Sequence, residues 1–249
     1  MSKKIKKSHI LIICAGSSVL NYKKEIKKFI KKNKVITFGC NNISHILVPD
    51  YHVWGDQRRY SMFGGNTSRK SKVIFSRAIP NNIRKKHKKI IKKFKVVDFN
   101  YLKLRMLPKI RFNTIGCLVM LYIYSKKASN ISIIGMDGYT YYSQNELNNG
   151  LQLQHCYNDG IDKLPSNYDI YKNTGYTDVI TDYKHEESNE NKKKDKDTFY
   201  NHCKNKDEFI YNALKSLKEY GVNFEILTPT VYKEFYNPKI LERQKNEIL

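Results

Sequence analysis

Residues Ile131–Tyr142 read ISIIGMDGYTYY, an apolar, β-branched run that ends at Gly135 and continues into Asp137 and three tyrosines. A short apolar run ended by glycine predicts a buried strand whose carboxyl end opens into a loop, and ligands of open α/β sheets bind at that end. Phenols there can donate hydrogen bonds to a phosphate and the carboxylate can accept them from sugar hydroxyls, as in a sugar-nucleotide site. An ordinary strand exit rimmed with aromatic side chains fits this segment equally well. The phenols belong to Tyr139, Tyr141 and Tyr142.

Strand and helix patterns alternate on both sides of this stretch. The run His9–Cys14 (HILIIC) is apolar throughout, as in a central parallel strand buried on both faces, and an amphipathic helix over 21–32 follows it. Further strands are predicted at 34–38, 46–48, 71–75, 95–97 and 223–227, and further helices at 82–93, at 117–124 and from residue 207. This order predicts an α/β, Rossmann-like single domain over 1–249, with a mostly parallel sheet flanked by helices.

Periodicity fades between residues 143 and 205, where Asn, Asp, Tyr and Lys dominate. A long irregular segment inside a compact fold is usually a lid or a disordered excursion, so we expect an irregular lid insertion over the site, with residues 186–197 mobile. Asp195 and Asp197 spell D-x-D, a metal-nucleotide motif of many glycosyltransferases. They lie in a lysine run and not at the end of a strand, so no metal site is predicted.

Small and amide side chains follow the first two predicted strands. Gly16, Ser17 and Ser18 form a turn that leads into a helix, the arrangement that places a phosphate on backbone N–H groups, although any strand-to-helix turn needs small residues. Asn41 and Asn42 follow the second strand and offer both donors and acceptors to a sugar or base edge. An Asn-rich turn without a ligand is the alternative interpretation.

The turn before the strongly apolar helix carries three candidate residues. Arg111 can hold a phosphate or carboxylate, Thr114 is expected to cap the helix, and Gly116 marks a close approach. Farther upstream, Asp56 and Arg58 are candidate ligand contacts for an acceptor. They lie beside the only tryptophan, Trp54, which we expect to anchor this connection in the core rather than to stack on a base.

The charge balance is strongly basic, with 46 Lys and Arg against 23 Asp and Glu, a difference of +23. Such a field attracts nucleic acid, anionic lipid headgroups or phosphorylated ligands. The excess is mostly scattered Lys-Lys pairs, which composition alone also produces, and the arginine-rich clusters with glycine and aromatics typical of nucleic-acid binders are absent. A nucleic-acid partner is therefore disfavoured, and an anionic membrane surface or a second copy of the chain stays open.

Cysteine spacing and hydropathy predict the compartment. The five cysteines show no C-x-x-C spacing and three of them fall in strand or helix patterns, which favours a reducing, cytoplasmic compartment without disulfides. No apolar run approaches the ~20 residues of a membrane span, and the N-terminal apolar stretch is too short for a signal peptide. We expect a cytoplasmic protein, either soluble or peripheral at the inner face of the membrane.

Four stretches resemble the bacterial sialyltransferases of glycosyltransferase family 42, within a wider set of Rossmann-like relatives. IICAGSSVL is similar to that family's first strand and G-N-G-P-S-L turn, and FGCNN to a second strand followed by Asn. ISIIGMDGYTYY is similar to its strand ending G-I-D-x-Y. NHCKNKDEFIYNALKSLKEYGVNFEILTP looks like its H-S-K-N helix and final strand, the most specific of the four.

This resemblance implies an inverting, metal-independent transfer of sialic acid or a related nonulosonate from a CMP-activated donor, with no further cofactor. The implied acceptor is a cell-surface glycan or glycolipid, as in lipooligosaccharide or capsule biosynthesis in bacteria. His202 falls on the general base, and Tyr139 with Tyr141 or Tyr142 on phenols that stabilise the departing phosphate. The positions matched to donor and nucleotide contacts are Gly16, Ser17, Ser18, Asn41, Gly135 and Asp137.

The sequence departs from the family's motifs at two positions, and two functions other than sugar transfer stay open. Ala15 replaces the family's first-turn Asn, and Ile115 stands where a serine helps to hold the donor's carboxylate, which leaves another nonulosonate or another nucleotide-activated group open. One alternative is a metal-dependent diphosphokinase or other nucleotide-handling enzyme on the same scaffold, whose activity a chelator abolishes. The other is a basic nucleic-acid-binding protein, whose affinity falls steeply with salt.

Overall fold

A computed structural model of the chain describes residues 9–108, 114–128, 130–141 and 189–246. Side chains are described throughout these ranges except for Arg58, 189–203 and 243–246. The architecture is α/β and Rossmann-like, with one sheet of seven strands in the order β5-β4-β3-β2-β1-β6-β7, all parallel. The strands are β1 (His9–Ile13), β2 (Ile36–Cys40), β3 (Tyr51–Trp54), β4 (Lys72–Ser76), β5 (Phe94–Val97), β6 (Asn130–Ile134) and β7 (Phe224–Ile226).

Helices connect the strands across both faces of the sheet. They are α1 (Ser18–Asn21), α2 (Lys23–Asn33), α3 (Gln57–Phe63), α4 (Asn81–Arg84), α5 (Phe99–Met106), α6 (Ile115–Tyr124), α7 (Asn189–Glu219) and α8 (Lys239–Asn246). Short 3-10 segments lie at Gly64–Asn66, Lys85–His87 and Lys233–Phe235. Within the described ranges, no helix has both the length and the apolar composition required to cross a membrane.

The central strand β1 is apolar because both of its faces are covered. Ile10 and Ile12 pack under α6 and α7, whereas Leu11 and Ile13 pack under α2 and α8. All four side chains have no exposed surface. The continuous apolar run therefore predicted this strand correctly, as expected for a parallel sheet buried on both sides.

The strand order reverses beside β1. From β1 the chain moves outward through β2, β3, β4 and β5, then crosses back through α5 and α6 to β6 on the other side of β1. The carboxyl ends of β1 and β6 therefore flank the point where connections diverge to opposite sides, which is where ligands bind in open α/β sheets. We call the carboxyl ends of β1, β2 and β6 with their following loops the rim.

The third strand and one helix differ from the sequence prediction. The third strand is Tyr51–Trp54 rather than 46–48, because four consecutive residues there are buried on both sides, including His52 between Ser44 and the carbonyl of Asn41. The helix predicted at 82–93 is limited to Asn81–Arg84 and the following 3-10 turn. Its sequence offers only isolated isoleucines among lysines, too few apolar contacts to extend it.

The helix α7 begins at Asn189, although periodicity predicted its start at residue 207. Residues 189–205 of the predicted irregular insertion are thus helical. Five lysines and Glu190 favour a helix there, and Glu190 precedes Lys194 by the favourable four-residue spacing, although the segment lacks the apolar stripe that predicts a helix. The remainder of the predicted lid, 143–188, lies outside the described residues.

Candidate functional site

Two glycines bring the loops after β1 and β6 into direct contact at the rim. The N–H of Gly16 donates to the carbonyl of Gly135 at 2.8 Å, and Cys14 N donates to Ile134 O at 2.8 Å. A Cβ on Gly16 would lie 2.5 Å from Asp137 Cγ, so no larger residue fits there. Gly135 has φ +68°, and a Cβ on it would lie 2.6 Å from Val19 Cγ2 and closer still to the Cys14 carbonyl.

Asp137 occupies the N-terminus of α1. Its Oδ2 accepts from the backbone N–H of Ser18 at 2.8 Å, its Oδ1 accepts from the Ser18 hydroxyl, and Ser17 also donates to it. Burial raises the pKa of this carboxyl to about 6, against the opposing effect of the serine hydrogen bonds. The side chain is only 4% exposed.

This geometry changes the expected roles of the turn residues. The N–H groups of Gly16 and Ser18 are already used, and the protein's own carboxylate lies where the sequence predicted a bound phosphate. A phosphate at this turn would have to displace Asp137 or lie beside it at the cost of charge repulsion. Asp137 itself is committed to the serines and is not an open acceptor for ribose or sugar hydroxyls.

The raised pKa of Asp137 predicts a measurable pH dependence of stability. The folded-state pKa of about 6 exceeds the ordinary 3.8, so the protonated carboxyl favours the folded protein and the ionised one opposes it. The stability that depends on this proton is fully present below pH 4 and is lost as pH rises through 6. Asp137→Asn removes this pH dependence while keeping an oxygen that accepts from Ser18 N. We expect the variant to gain about 2–3 kcal/mol relative to the natural protein between pH 4 and pH 7 in urea denaturation.

The matched control for that experiment is Asp56→Asn. Asp56 is exposed and caps α3 by accepting from Arg59 N at 2.6 Å, a role that Asn also fills. This substitution should change the free energy of unfolding by less than about 1 kcal/mol, because Asn also caps the helix. An Asp137→Asn curve parallel to that of the natural protein would contradict the assigned burial of this carboxyl.

Asp207 on α7 organises the loop that carries Tyr139. Its carboxylate accepts four hydrogen bonds, from Tyr139 N, Thr140 N and Thr140 Oγ1, each at 2.7 Å, and from Tyr232 OH at 2.8 Å. Burial, followed by the Asp207 carboxylate, raises the pKa of Tyr232, which keeps that phenol protonated and donating. The loop after β6 is therefore fixed to the helix by one side chain.

Sequence reasoning missed Asp207, although a signal was present. The residue continues the apolar stripe of α7 that contains Ile210, Leu214 and Leu217 at helical spacing. A carboxylate in line with a buried stripe must find donors, because burying an unpaired charge is costly. The pattern thus indicates a buried, hydrogen-bonded acid even before its partners are known.

Removing the negative charge of Asp207 should loosen the loop. Asp207→Asn replaces one carboxylate oxygen with an NH₂ that faces donors, so at least one hydrogen bond becomes a donor–donor contact. We expect a loss of about 2 kcal/mol in the free energy of unfolding, measured in urea. Glu208→Gln, an exposed neighbour on the same helix, should change stability by less than about 0.5 kcal/mol, and equal effects would contradict the loop-fixing role.

The phenol rings after β6 face different parts of the rim. The Lys206 ammonium lies 4.9 Å from the centroid of the Tyr139 ring. Burial raises the pKa of Tyr141, and nearby Asp137 and Tyr22 raise it further, which places Tyr141 on the side of the α1 turn. Tyr139 therefore contacts α7 and Tyr141 lies near Asp137, whereas Tyr142 lies outside the described residues.

Asn41 and Asn42 both follow β2, but only Asn42 is buried. Asn41 has φ +54°, its Oδ1 accepts from Gly55 N at 3.4 Å, and its backbone carbonyl accepts from the fully buried His52. Asn42 is 2% exposed and its Oδ1 accepts from Asn66 Nδ2 at 3.1 Å. The amide predicted to contact donor sugar is thus held in place at position 41, and the one at position 42 belongs to the fold.

The remaining predicted residues divide between structural roles and positions that are not described. Gly116 allows α6 to approach Met136 and Cys14, and Thr114 precedes α6 without a side-chain capping bond. Trp54 is fully buried and donates to Thr67, which confirms it as an anchor. The side chains of Arg58 and His202, and the whole of Arg111, lie outside the described part.

A cavity of about 370 Å³ lies at the opposite edge of the sheet, among the amino ends of β1, β6 and β7. His9 Nε2 lies 2.8 Å from Ser132 Oγ, and that hydroxyl donates to Glu225 at 3.2 Å. Here the carboxylate contacts the serine and not the second ring nitrogen of the histidine, so the arrangement is not that of a catalytic triad. Asn237 completes this polar network by donating to Glu225 at 2.7 Å.

Metal ligands do not cluster in the described ranges, where no group of three His, Cys, Asp or Glu side chains has the geometry to hold an ion. The nearest approach to such a group is a set of three buried cysteines, Cys14, Cys40 and Cys117. A hydrogen bond with Cys14, followed by burial, raises the pKa of Cys40, and burial raises that of Cys117. In the metal-free protein these two groups therefore remain thiols.

No protein-family model matches this chain, and no curated protein matches its sequence. Function must therefore be inferred from the geometry of the rim and from the short motifs that it brings together.

Proposed function

We propose that this protein is an inverting glycosyltransferase that moves sialic acid or a related nonulosonate from a CMP-activated donor to a cell-surface glycan or glycolipid. The observation that carries the proposal is the attachment of α7 to the loop after β6 through Asp207. It brings the helix that bears His202 to the point where the strand order reverses. The resemblance of ISIIGMDGYTYY and NHCKNKDEF to family 42 motifs supports the same assignment.

Helix geometry supports a place for His202 near the rim. His202 precedes Lys206 by four residues in the helix, so both residues lie on one face, one turn apart. One turn corresponds to ~5–6 Å along the axis. The Lys206 ammonium lies over the Tyr139 ring, so the turn of α7 that contains Lys206 lies beside the Tyr139 loop. The turn that contains His202 is the next one toward the N-terminus of this helix.

The proposed chemistry needs one base and one stabilised leaving group. The imidazole of His202 takes the proton of the acceptor hydroxyl as its oxygen forms a bond to the anomeric carbon. The bond from that carbon to the phosphate oxygen of CMP breaks on the opposite face, which inverts the configuration. CMP leaves with its charge on the phosphate, where the phenol of Tyr139 donates a hydrogen bond.

A nucleotide panel tests this proposal through the base and phosphate preference. We expect CMP at about 100 times its Kd to stabilise the folded protein by about 2.7 kcal/mol. That stabilisation corresponds to a rise of about 5 °C or more in the melting temperature. UDP and GDP at the same concentration should give at most a small shift. A preference for GDP or UDP over CMP, or no shift with any nucleotide, would contradict the proposed donor class.

A further inference from the structure

Lys206 places a cation beside the loop that carries Tyr139, the residue proposed to stabilise the leaving phosphate. Its side chain is half-buried, and its ammonium lies 4.9 Å from the centre of the Tyr139 ring. In the described part of the chain, no carboxylate lies within ion-pair distance of this ammonium. A half-buried cation that is held only by an aromatic ring retains most of its capacity to bind an anion.

The position of Lys206 is fixed by its neighbour in the sequence. Asp207 accepts hydrogen bonds from the backbone of Tyr139 and Thr140, so the helix register relative to the loop cannot slip. Asp207 therefore contacts this loop through the loop's backbone, and Lys206 contacts it through the aromatic ring of Tyr139. The ammonium is positioned by this attachment and by cation–π contact rather than by a salt bridge.

The turn after β1 does not offer an equivalent site for a phosphate. Asp137 already accepts from Ser18 N and the Ser18 hydroxyl, and the Gly16 N–H donates to Gly135. A donor phosphate is repelled by that carboxylate whenever the carboxylate is ionised. The ammonium of Lys206, next to Tyr139, offers that phosphate the opposite charge.

We propose that Lys206 binds the phosphate of the CMP-activated donor and offsets the charge on CMP as it departs. This inference rests on the proposed function and adds a residue to it. A cation placed where the charge of the leaving group develops adds to the hydrogen bond that the Tyr139 phenol donates there. The anomeric carbon–oxygen bond breaks, its electron pair remains on the phosphate, and the ammonium of Lys206 donates a hydrogen bond to it.

The test separates phosphate binding from nucleoside binding by titration calorimetry with CMP and with cytidine. We expect Lys206→Gln to weaken CMP binding about tenfold or more while cytidine binding stays unchanged, because only CMP carries the phosphate. Lys206→Arg should keep most of the CMP affinity. Lys215→Gln removes the same charge from an exposed position of the same helix and should leave both affinities unchanged.

The outcomes distinguish this inference from the proposed function. If the natural protein binds CMP and Lys206→Gln binds it equally well, the role of Lys206 is wrong and the donor assignment stands. If Lys206→Gln loses cytidine affinity to the same extent as CMP affinity, the lysine supports the fold and not the phosphate. If the natural protein binds no CMP at all, both the donor assignment and the role of Lys206 are wrong.

Discussion

Replacing His202 with alanine is expected to lower the rate of sugar transfer by about 100- to 10,000-fold, the usual contribution of a positioned general base. The acceptor hydroxyl is a poor nucleophile until a base takes its proton, and no other group has been assigned that task. Binding of CMP should persist in the variant, because the base contacts the acceptor and not the nucleotide. The measurement is the initial rate of CMP release, paired with CMP titration calorimetry.

Chemical rescue provides the control for the His202→Ala experiment. Added imidazole should restore part of the lost rate if the missing function is proton removal, and it should leave the natural protein unaffected. A variant that transfers sugar at the natural rate would remove His202 from the mechanism. A variant that loses both CMP binding and transfer would indicate a structural role for this turn of α7.

Replacing Gly135 with alanine should destabilise the protein by about 3 kcal/mol or more. The backbone there has φ +68°, where a side chain is strained, and a new Cβ would overlap Val19 and the Cys14 carbonyl. The Cys14 backbone cannot move away easily, because its N–H donates to Ile134 O at 2.8 Å. Gly135 is itself held in place, because its N–H donates to Thr228 Oγ1 at 2.9 Å. Urea denaturation monitored by far-UV circular dichroism measures the effect.

Gly65→Ala is the matched control for Gly135→Ala. A Cβ at Gly65 would lie 3.8 Å from the His87 ring, an ordinary contact, and its φ is not in the left-handed region. The substitution should change the free energy of unfolding by less than about 1 kcal/mol. Equal losses at the two positions would show that the close contact of the β1 and β6 loops is not what demands glycine.

The strands were largely predictable because a parallel sheet buried on both sides leaves long apolar runs in the sequence. The runs HILII and NISII became β1 and β6 with nearly the predicted bounds. The third strand, YHVW, escaped because His52 reads as polar, and only Ser44 and the Asn41 carbonyl make its burial acceptable. Those partners become evident only when the fold has brought them together.

Helices without an apolar stripe were the other elements that the sequence did not predict. The strand-linking helix Phe99–Met106 exposes Tyr101 and Leu104, so its pattern has no clear buried face. The first turns of α7 are polar throughout, and only the lysines and the charge spacing favour a helix there. Periodicity detects a helix through the surface that it buries, and α5 buries only Phe99.

At the candidate site, glycines were easier to predict than hydrogen-bond partners. Gly16 and Gly135 stood out as small residues at strand ends, and both prove necessary for the contact between loops. The partnership of Asp137 with Ser18 spans 119 residues of sequence, and that of Asp207 with Tyr139 spans 68. Such pairs depend on the order of strands in the sheet, which local sequence patterns do not encode.

The most direct test of the central claim is a transfer assay with a CMP-activated nonulosonate and a glycan acceptor in the presence of EDTA. Proton NMR follows CMP release and the anomeric configuration of the product. The account predicts stoichiometric CMP release and a glycoside of inverted configuration at an undiminished rate in EDTA. No CMP release, product of retained configuration, or activity that requires a divalent metal would contradict it.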